Sequence, residues 1–214
     1  MTKQDIKTQT IAYYNNHAQE WVSSHGGYEK ESWWKDQMEI FHKYLPKGRV
    51  LEIGAGAGKD AESLVNLGYN YVGTDASKEL LKIAKERNPN AVFLNKSVQE
   101  LDLTLGKFDG FWAAAVLLHI PKDEMVDALK CISLVLKDGG IGFITLKEGI
   151  GEKVDEKTGR HYSYFQKEEF EDLLNLVNFE VLEGDIIDRE GEKWLIFHVK
   201  KIQNDKIRHN NNIS

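Results

Sequence analysis

The chain has 214 residues, 41% of them hydrophobic and 29% charged, and a formal net charge of -6. That suits one domain with a sizeable core, and no run of about 18 apolar residues exists to span a membrane. Lys and Arg are dispersed rather than striped, which argues against DNA, and the single cysteine, Cys131, excludes an intramolecular disulfide and a multi-cysteine zinc site.

The opening residues, Met1-Thr2-Lys3-Gln4-Asp5, lack the apolar core of a signal peptide, so the expected compartment is the cytoplasm. Ile6, Ile11, Tyr14, Ala18, Trp21 and Val22 share one helical face, and Ser23-Ser24-His25-Gly26-Gly27 breaks the pattern. A second helix is expected over 32–44, carrying Trp33, Trp34, Met38, Ile40, Phe41 and Tyr44, and Pro46-Lys47-Gly48 ends it. Residues 1–47 thus form a helical cap, and most of its aromatic residues serve as core.

An apolar run over 49–53 reads as a strand and ends abruptly in Gly54-Ala55-Gly56-Ala57-Gly58. From Asp60 the spacing of Ala61, Leu64, Val65 and Leu67 is helical; Gly68 and Asn70 stop that helix, and a second apolar run closes on Asp75. Glycine lets a backbone come close to a ligand, an open helix N-terminus offers unpaired N–H groups, and an acid after the second strand suits ribose hydroxyls. This is half of a nucleotide-binding α/β unit. A dinucleotide G-x-G-x-x-G fingerprint fails at Lys59, and a P-loop fails at Ile53 and Asp60.

Ser77 is positioned to cap a helix that ends near Asn88-Pro89-Asn90, and a third strand follows over 91–94. Phe111 and Trp112 belong to a central strand, with the small residues Ala113, Ala114 and Ala115 at its carboxyl end, where open α/β sheets bind ligands. His119 follows; histidine titrates near neutral pH, so it is a candidate general base. A helix over 123–136 stops at Lys137-Asp138-Gly139-Gly140 with Gly139 as a left-handed cap, and a fifth strand covers 141–146. Residues 147–165 are polar, glycine-rich and then aromatic, which suits a substrate loop. Within it, Arg160 is equally suited to a substrate carboxylate or phosphate and to an ion pair with Glu148, Glu152 or Asp155. A helix from Gln166 to about Asn178, strands over 179–183 and 193–199 and a turn over 188–192 complete the domain, and the polar tail over 203–214 is expected to be disordered. The seven histidines have no ligand spacing, so no metal is expected.

The string Glu52-x-Gly54-x-Gly56-x-Gly58, with Asp75 after the next strand, resembles motif I and the adjoining acidic motif of class I S-adenosylmethionine-dependent methyltransferases. Residues 108–121, ending Leu117-Leu118-His119-Ile120-Pro121, resemble motif IV of members that do not act on nucleic acids, and the D/N-P-P-Y/F motif of base and glutamine methylation is absent. The lead-in Tyr13-Tyr14 to Ala18 and Trp21, and the Lys137-Asp138-Gly139-Gly140 turn, are similar to family features, Asp138 standing where proline is usual. The resemblance covers about residues 13–200 and implies a Rossmann-like α/β fold: a seven-stranded, mostly parallel sheet with a C-terminal antiparallel hairpin, helices on both faces and an N-terminal helical lid over 1–47.

It also implies S-adenosylmethionine as cofactor, held by Tyr14, Trp21, Glu52, Gly54, Ala55, Gly56, Asp75, Ala76, Ser97, Val98, Ala113 and Leu118, with the domain over 48–201. Ser97 departs from the family, whose acid there binds the adenine amine. Tyr13, Trp112, Lys147, Arg160 and Tyr164 are the substrate candidates. His119 at this place more often fixes the loop through hydrogen bonds than acts as a base. The expected reaction moves a methyl group to an O, N or S nucleophile of a small molecule. A tRNA-modifying enzyme and a non-catalytic cofactor-binding protein are the alternatives.

Overall fold

The computed structural model describes residues 3–25 and 34–203. The helix expected over 6–22 is two helices, α1 (Lys3–Asn16) and α2 (Ala18–Ser24). They break at His17, whose φ of -120° leaves the helical region and whose Nδ1 bonds the Tyr13 carbonyl at 3.0 Å. The next helix, α3 (Lys35–Tyr44), buries Met38 and Phe41; Ser32 and Trp33 lie outside the described residues.

The expected alternation of strand and helix follows: β1 (Arg49–Ile53), α4 (Lys59–Asn66), β2 (Asn70–Asp75), α5 (Lys78–Arg87), β3 (Val92–Asn95) and β4 (Phe108–Ala114). Then come α6 (Met125–Val135), β5 (Leu136–Lys147), β6 (Glu152–Val154), β7 (His161–Ser163), α7 (Lys167–Leu176), β8 (Phe179–Arg189) and β9 (Glu192–Lys201). Seven strands form one sheet in the order β3-β2-β1-β4-β5-β9-β8, parallel from β3 through β5, with β9 antiparallel to both its neighbours. The chain turns back between β1 and β4, so the crevice beyond their carboxyl ends is the sheet's switch point. The terminal hairpin closes on Glu190 and Gly191, both at positive φ (56° and 80°), the backbone of a two-residue turn that follows the sheet's twist.

Successive β4 residues face opposite sides of the sheet. Trp112 stacks on Phe143 at 3.8 Å beneath Phe41 of α3, while Phe111 meets Phe179 at 5.7 Å on the other side. All five rings are fully buried. Each would cost about 3–5 kcal/mol to truncate to alanine, so the switch point rests on a stiff floor.

Two expectations are corrected. Helix α6 does not end on a glycine cap: its C-cap is Leu136, already extended, and Gly139 takes its φ of 77° inside β5, where residues 137–140 loop out between the Phe108–Leu136 and Gly110–Ile141 pairs. The carbonyls left at the helix end are met by two ammonium groups, Lys107 on Leu134 and Lys201 on Ser133 (2.8 Å) and Leu136 (3.0 Å). The stretch over 147–165 is not all loop either, because β6 and β7 pair as a small separate sheet. Thr10 Oγ1 of α1 accepts the His161 N–H of β7 at 3.0 Å, tying the N-terminal helix to that sheet. The tail from 204 on lies outside the described residues.

Candidate active site

The glycine turn leaves β1 and folds back on β2: the N–H groups of Gly54 and Ala55 both donate to the Thr74 carbonyl, at 2.8 and 2.9 Å. Gly54 sits at φ 73° with Val116 packed 2.4 Å from where a Cβ would stand, so that position admits no side chain. Gly56, at φ 52°, has open space at the corresponding point. Its N–H donates to Asp75 Oδ2 at 2.8 Å, and the Ser77 N–H donates to Asp75 Oδ1 at 2.7 Å. Burial pushes the Asp75 carboxyl up from its usual range, opposed by those two N–H groups. Each carboxylate oxygen keeps a further lone pair for a ligand hydroxyl. Behind the turn, buried Glu52 accepts the Tyr71 hydroxyl; burial, with the charges of Asp60 and Asp75, drives its pKa well above the usual carboxylate range.

A cavity of about 250 Å³ opens above this turn. One wall is α1, whose Lys7, Thr10, Ile11 and Tyr14 fall at i, i+3, i+4 and i+7 and so face it together. Asp75, Ala76, Ser77 and Leu80 form the second wall, Lys96, Ser97, Val98 and Gln99 the third, and Ala114, Ala115 and Val116 the end. The Ser97 hydroxyl is already committed: it donates to Glu100 at 2.6 Å and accepts from Lys7 Nζ at 3.2 Å. Asn15 clamps α1 to the start of α5, accepting from Ser77 Oγ at 2.9 Å while that hydroxyl accepts the Leu80 N–H as the N-cap.

A second cavity, of about 350 Å³, shares Tyr14, Trp21, Ala114, Ala115 and His119 with the first. Its own lining includes His25, Trp34, Leu118, Lys147, Arg160, Tyr162 and Trp194. Where the two meet, Ala115 holds a left-handed φ of 54°, a strained backbone that costs a non-glycine residue about 1–2 kcal/mol. A hydrogen-bonded chain crosses this junction. Arg160 Nη1 donates to Tyr14 Oη at 3.2 Å, Tyr14 bonds His119 Nε2 at 2.9 Å, and His119 Nδ1 lies 2.6 Å from the His161 carbonyl. A carbonyl only accepts, so Nδ1 carries the proton and Nε2 accepts from Tyr14. Burial brings His119 down to about 4, so at neutral pH it is uncharged, and burial pushes the Tyr14 hydroxyl up, so it stays a donor.

A family model described as a methyltransferase domain matches residues 50–140, the stretch holding the glycine turn, Asp75 and the end of β4. That stretch, about two fifths of the chain, is similar to a methyltransferase domain. An uncharacterized protein of Methanocaldococcus jannaschii is 33% identical over 142 residues, 64% of each chain. The ubiquinone biosynthesis O-methyltransferase of Xanthomonas campestris is 33% identical over 106 residues, 47% of this chain and 44% of that one. The chain therefore spans between about two fifths and two thirds of these relatives' lengths. Among solved structures, the 1,6-didemethyltoxoflavin-N1-methyltransferase of Burkholderia thailandensis, with 1,6-didemethyltoxoflavin and S-adenosylhomocysteine bound, superposes with a TM-score of 0.79. It is 21% identical, over 95% of this chain and 92% of that one, a likeness of fold.

The residues here fit the cofactor of the methyltransferase family. The space beside Gly56, the spare lone pairs of Asp75 and the apolar walls of Ile11, Leu80 and Val98 would cradle a chain, a ribose and a flat base respectively. Of the cofactor candidates, Tyr14, Trp21, Gly54, Gly56, Asp75, Ala76, Ser97 and Val98 line the first cavity. Glu52 and Ala55 line a smaller recess behind the turn, and Leu118 lines the second cavity. Ala113 is fully buried and lines none of these.

The substrate candidates divide. Lys147 and Arg160 line the second cavity, and Tyr13 backs it, its ring under the Arg160 guanidinium at 4.7 Å. Trp112 is instead core, its Nε1 donating to Asp60 at 2.9 Å. Tyr164 packs on Gly149 and lines neither cavity. The sequence reading missed Lys7, Thr10 and Ile11, whose helical spacing was visible, and Tyr162, Trp34 and Trp194, which only the tertiary fold brings together. No helix among the described residues is long and apolar enough to cross a membrane, and no metal-binding cluster occurs among them.

Proposed function

We propose that this chain transfers a methyl group from S-adenosylmethionine to a small-molecule acceptor. The observation that carries the reading is two cavities meeting at Tyr14, Ala114, Ala115 and His119, one built around the glycine turn and Asp75, the other lined by aromatic and charged side chains. The cofactor supplies an activated methyl group on a sulfonium. The protein's work is then to place two reactants and keep water out. In this reading the open space beside Gly56 in the Gly54–Gly56 turn receives the methionine end, while Asp75 and Ala76 hold the ribose. Ser97 and Val98 flank the adenine, with no acid at Ser97 to accept from its amine. Tyr14 and Trp21 close over the top, and Glu52 stiffens the turn from behind. The small side chains of Ala114 and Ala115 leave the path for an incoming nucleophile.

His119 works as a positioning residue, because its one lone pair is taken by Tyr14. Proton loss by the acceptor is met by bulk water. The relatives named as O- and N-methyltransferases leave both acceptor atoms open for this chain.

Calorimetric titration with S-adenosylmethionine and S-adenosylhomocysteine, with NAD as control, tests the cofactor. Micromolar binding is expected, and Asp75→Ala should weaken it by about tenfold or more, the worth of charge-assisted hydrogen bonds in a sheltered site. Absence of binding would overturn the reading. Binding without turnover on any acceptor panel would instead favour a non-catalytic cofactor-binding protein.

A further inference from the structure

We propose that the second cavity takes a small planar carboxylic acid, held as its anion on the edge of the Arg160 guanidinium. This rests on the methyl-transfer reading and names the class of acceptor.

Arg160 is half-buried, and its two hydrogen bonds go to neutral oxygens, Thr158 Oγ1 at 3.3 Å and Tyr14 Oη at 3.2 Å. Among the described residues no carboxylate comes within ion-pair distance of it. Asp155, the nearest by sequence, is turned to Thr158, accepting its N–H and its hydroxyl at 2.8 Å each. A second cation lining this space, Lys147, is paired with Glu192 at 2.6 Å. Taken together, Lys59, Lys147 and Arg160 face Asp60 and Glu192 in the lining, an excess of one positive charge. His25 and His119 add none at neutral pH, since burial lowers both.

A sheltered cation without a counter-charge is a poor structural element but a good anion site. Its geometry narrows the anion. Rings of Tyr13, Tyr14, Trp21 and Tyr162 lie 4.7, 5.6, 5.1 and 5.4 Å from the guanidinium carbon, surrounding the cation with π-faces. With the ring faces engaged, the edge of the fork is the open approach, and that edge matches the two oxygens of a carboxylate. The remaining wall is also aromatic: Trp34 and Trp194 meet edge to face at 5.7 Å. The Trp194 indole N–H is buried with no acceptor among the described residues. A volume of about 350 Å³ suits an acid of one or two fused rings.

The test is calorimetry on the full chain saturated with S-adenosylhomocysteine, titrated with naphthoate, naphthamide, naphthyl phosphate and the saturated acid decahydronaphthoate. Naphthoate is expected to bind about tenfold or more tightly than naphthamide, one charge-assisted pair being worth that much. Arg160→Met should bring the acid down to the level of the amide. Arg160→Lys, which keeps the charge and loses the fork, should fall between, and it guards against a Met variant that does not fold. Equal binding of acid and amide, full binding in Arg160→Met, or no binding of naphthoate would overturn the proposal. Preference for the phosphate would move the class to aryl phosphates, and equal binding of the saturated acid would remove planarity; either result also overturns it as stated. S-adenosylhomocysteine binding in the same samples separates the two ideas. Its loss with naphthoate binding intact would sink methyl transfer and leave the anion site standing.

Discussion

Residue by residue, the chemistry at the junction depends on which lone pairs are already spoken for. The sequence pointed to His119 as a candidate base, and its neighbours could not be read there: the Tyr14 hydroxyl and the His161 carbonyl arrive from 105 and 42 residues away. Since His119 acts through Tyr14, the two should behave as one unit. Tyr14→Phe and His119→Gln are each expected to lower kcat by a similar factor, with the double variant no worse than either single one. Additive losses in kcat would return His119 to an independent role. Arg160 shows the opposite case. The sequence singled it out by residue type, and the choice it left open between substrate anion and local ion pair turns on where Glu148, Glu152 and Asp155 point, which is a tertiary fact.

Elements carry the next level. The strand–turn–helix of β1 and α4 was legible because alternating glycines interrupt an apolar run, and the structure explains why the glycines differ. Gly54→Ala must fit both a left-handed backbone, about 1–2 kcal/mol, and a methyl driven into Val116, so a thermal melt should show a loss of about 2 kcal/mol or more. Gly56→Ala meets only the backbone cost of about 1–2 kcal/mol, and its methyl projects into open space beside the first cavity. It should therefore keep most of its stability and lose cofactor affinity. Comparable melting losses with unchanged affinity would contradict this assignment. The end of α6 was misread for a related reason. A glycine after a helix usually means a cap, yet Lys107 and Lys201 reach the carbonyls from β4 and β9 neighbours that no local pattern reveals.

Across the whole molecule, buried ionisable groups set the response to pH in two opposing windows. Burial lowers His119 and His198 to about 4 from 6.5. The unfolded chain binds those protons first, so their contribution is present above about 6.5 and is lost as pH falls toward 4. Glu52 works the other way: its pKa in the fold lies well above 4.5, so the protonated form is favoured and stability declines as pH rises above 4.5 toward the folded-state value. His198→Gln should flatten the melting curve between pH 6.5 and 4. Glu52→Gln should melt higher than the parent at pH 8, with the gap closing toward pH 5. A variant that tracks the parent at every pH would show that Glu52 is ionised in the fold after all.

Local pattern and composition determined the parallel half of the sheet, the glycine turn, Asp75, Ser77 as a cap and the terminal hairpin. Each of these is written in residues within a few positions of one another, where backbone sterics and periodicity act. Tertiary structure decided the rest: the pairing of β6 with β7, the burial of Trp112 and the packing of Tyr164 on Gly149. It also decided the union of Trp34, Arg160, Tyr162 and Trp194 around one cavity. Such contacts follow from packing, which selects partners by shape and unmet charge across the whole fold, and a one-dimensional pattern carries no record of that choice.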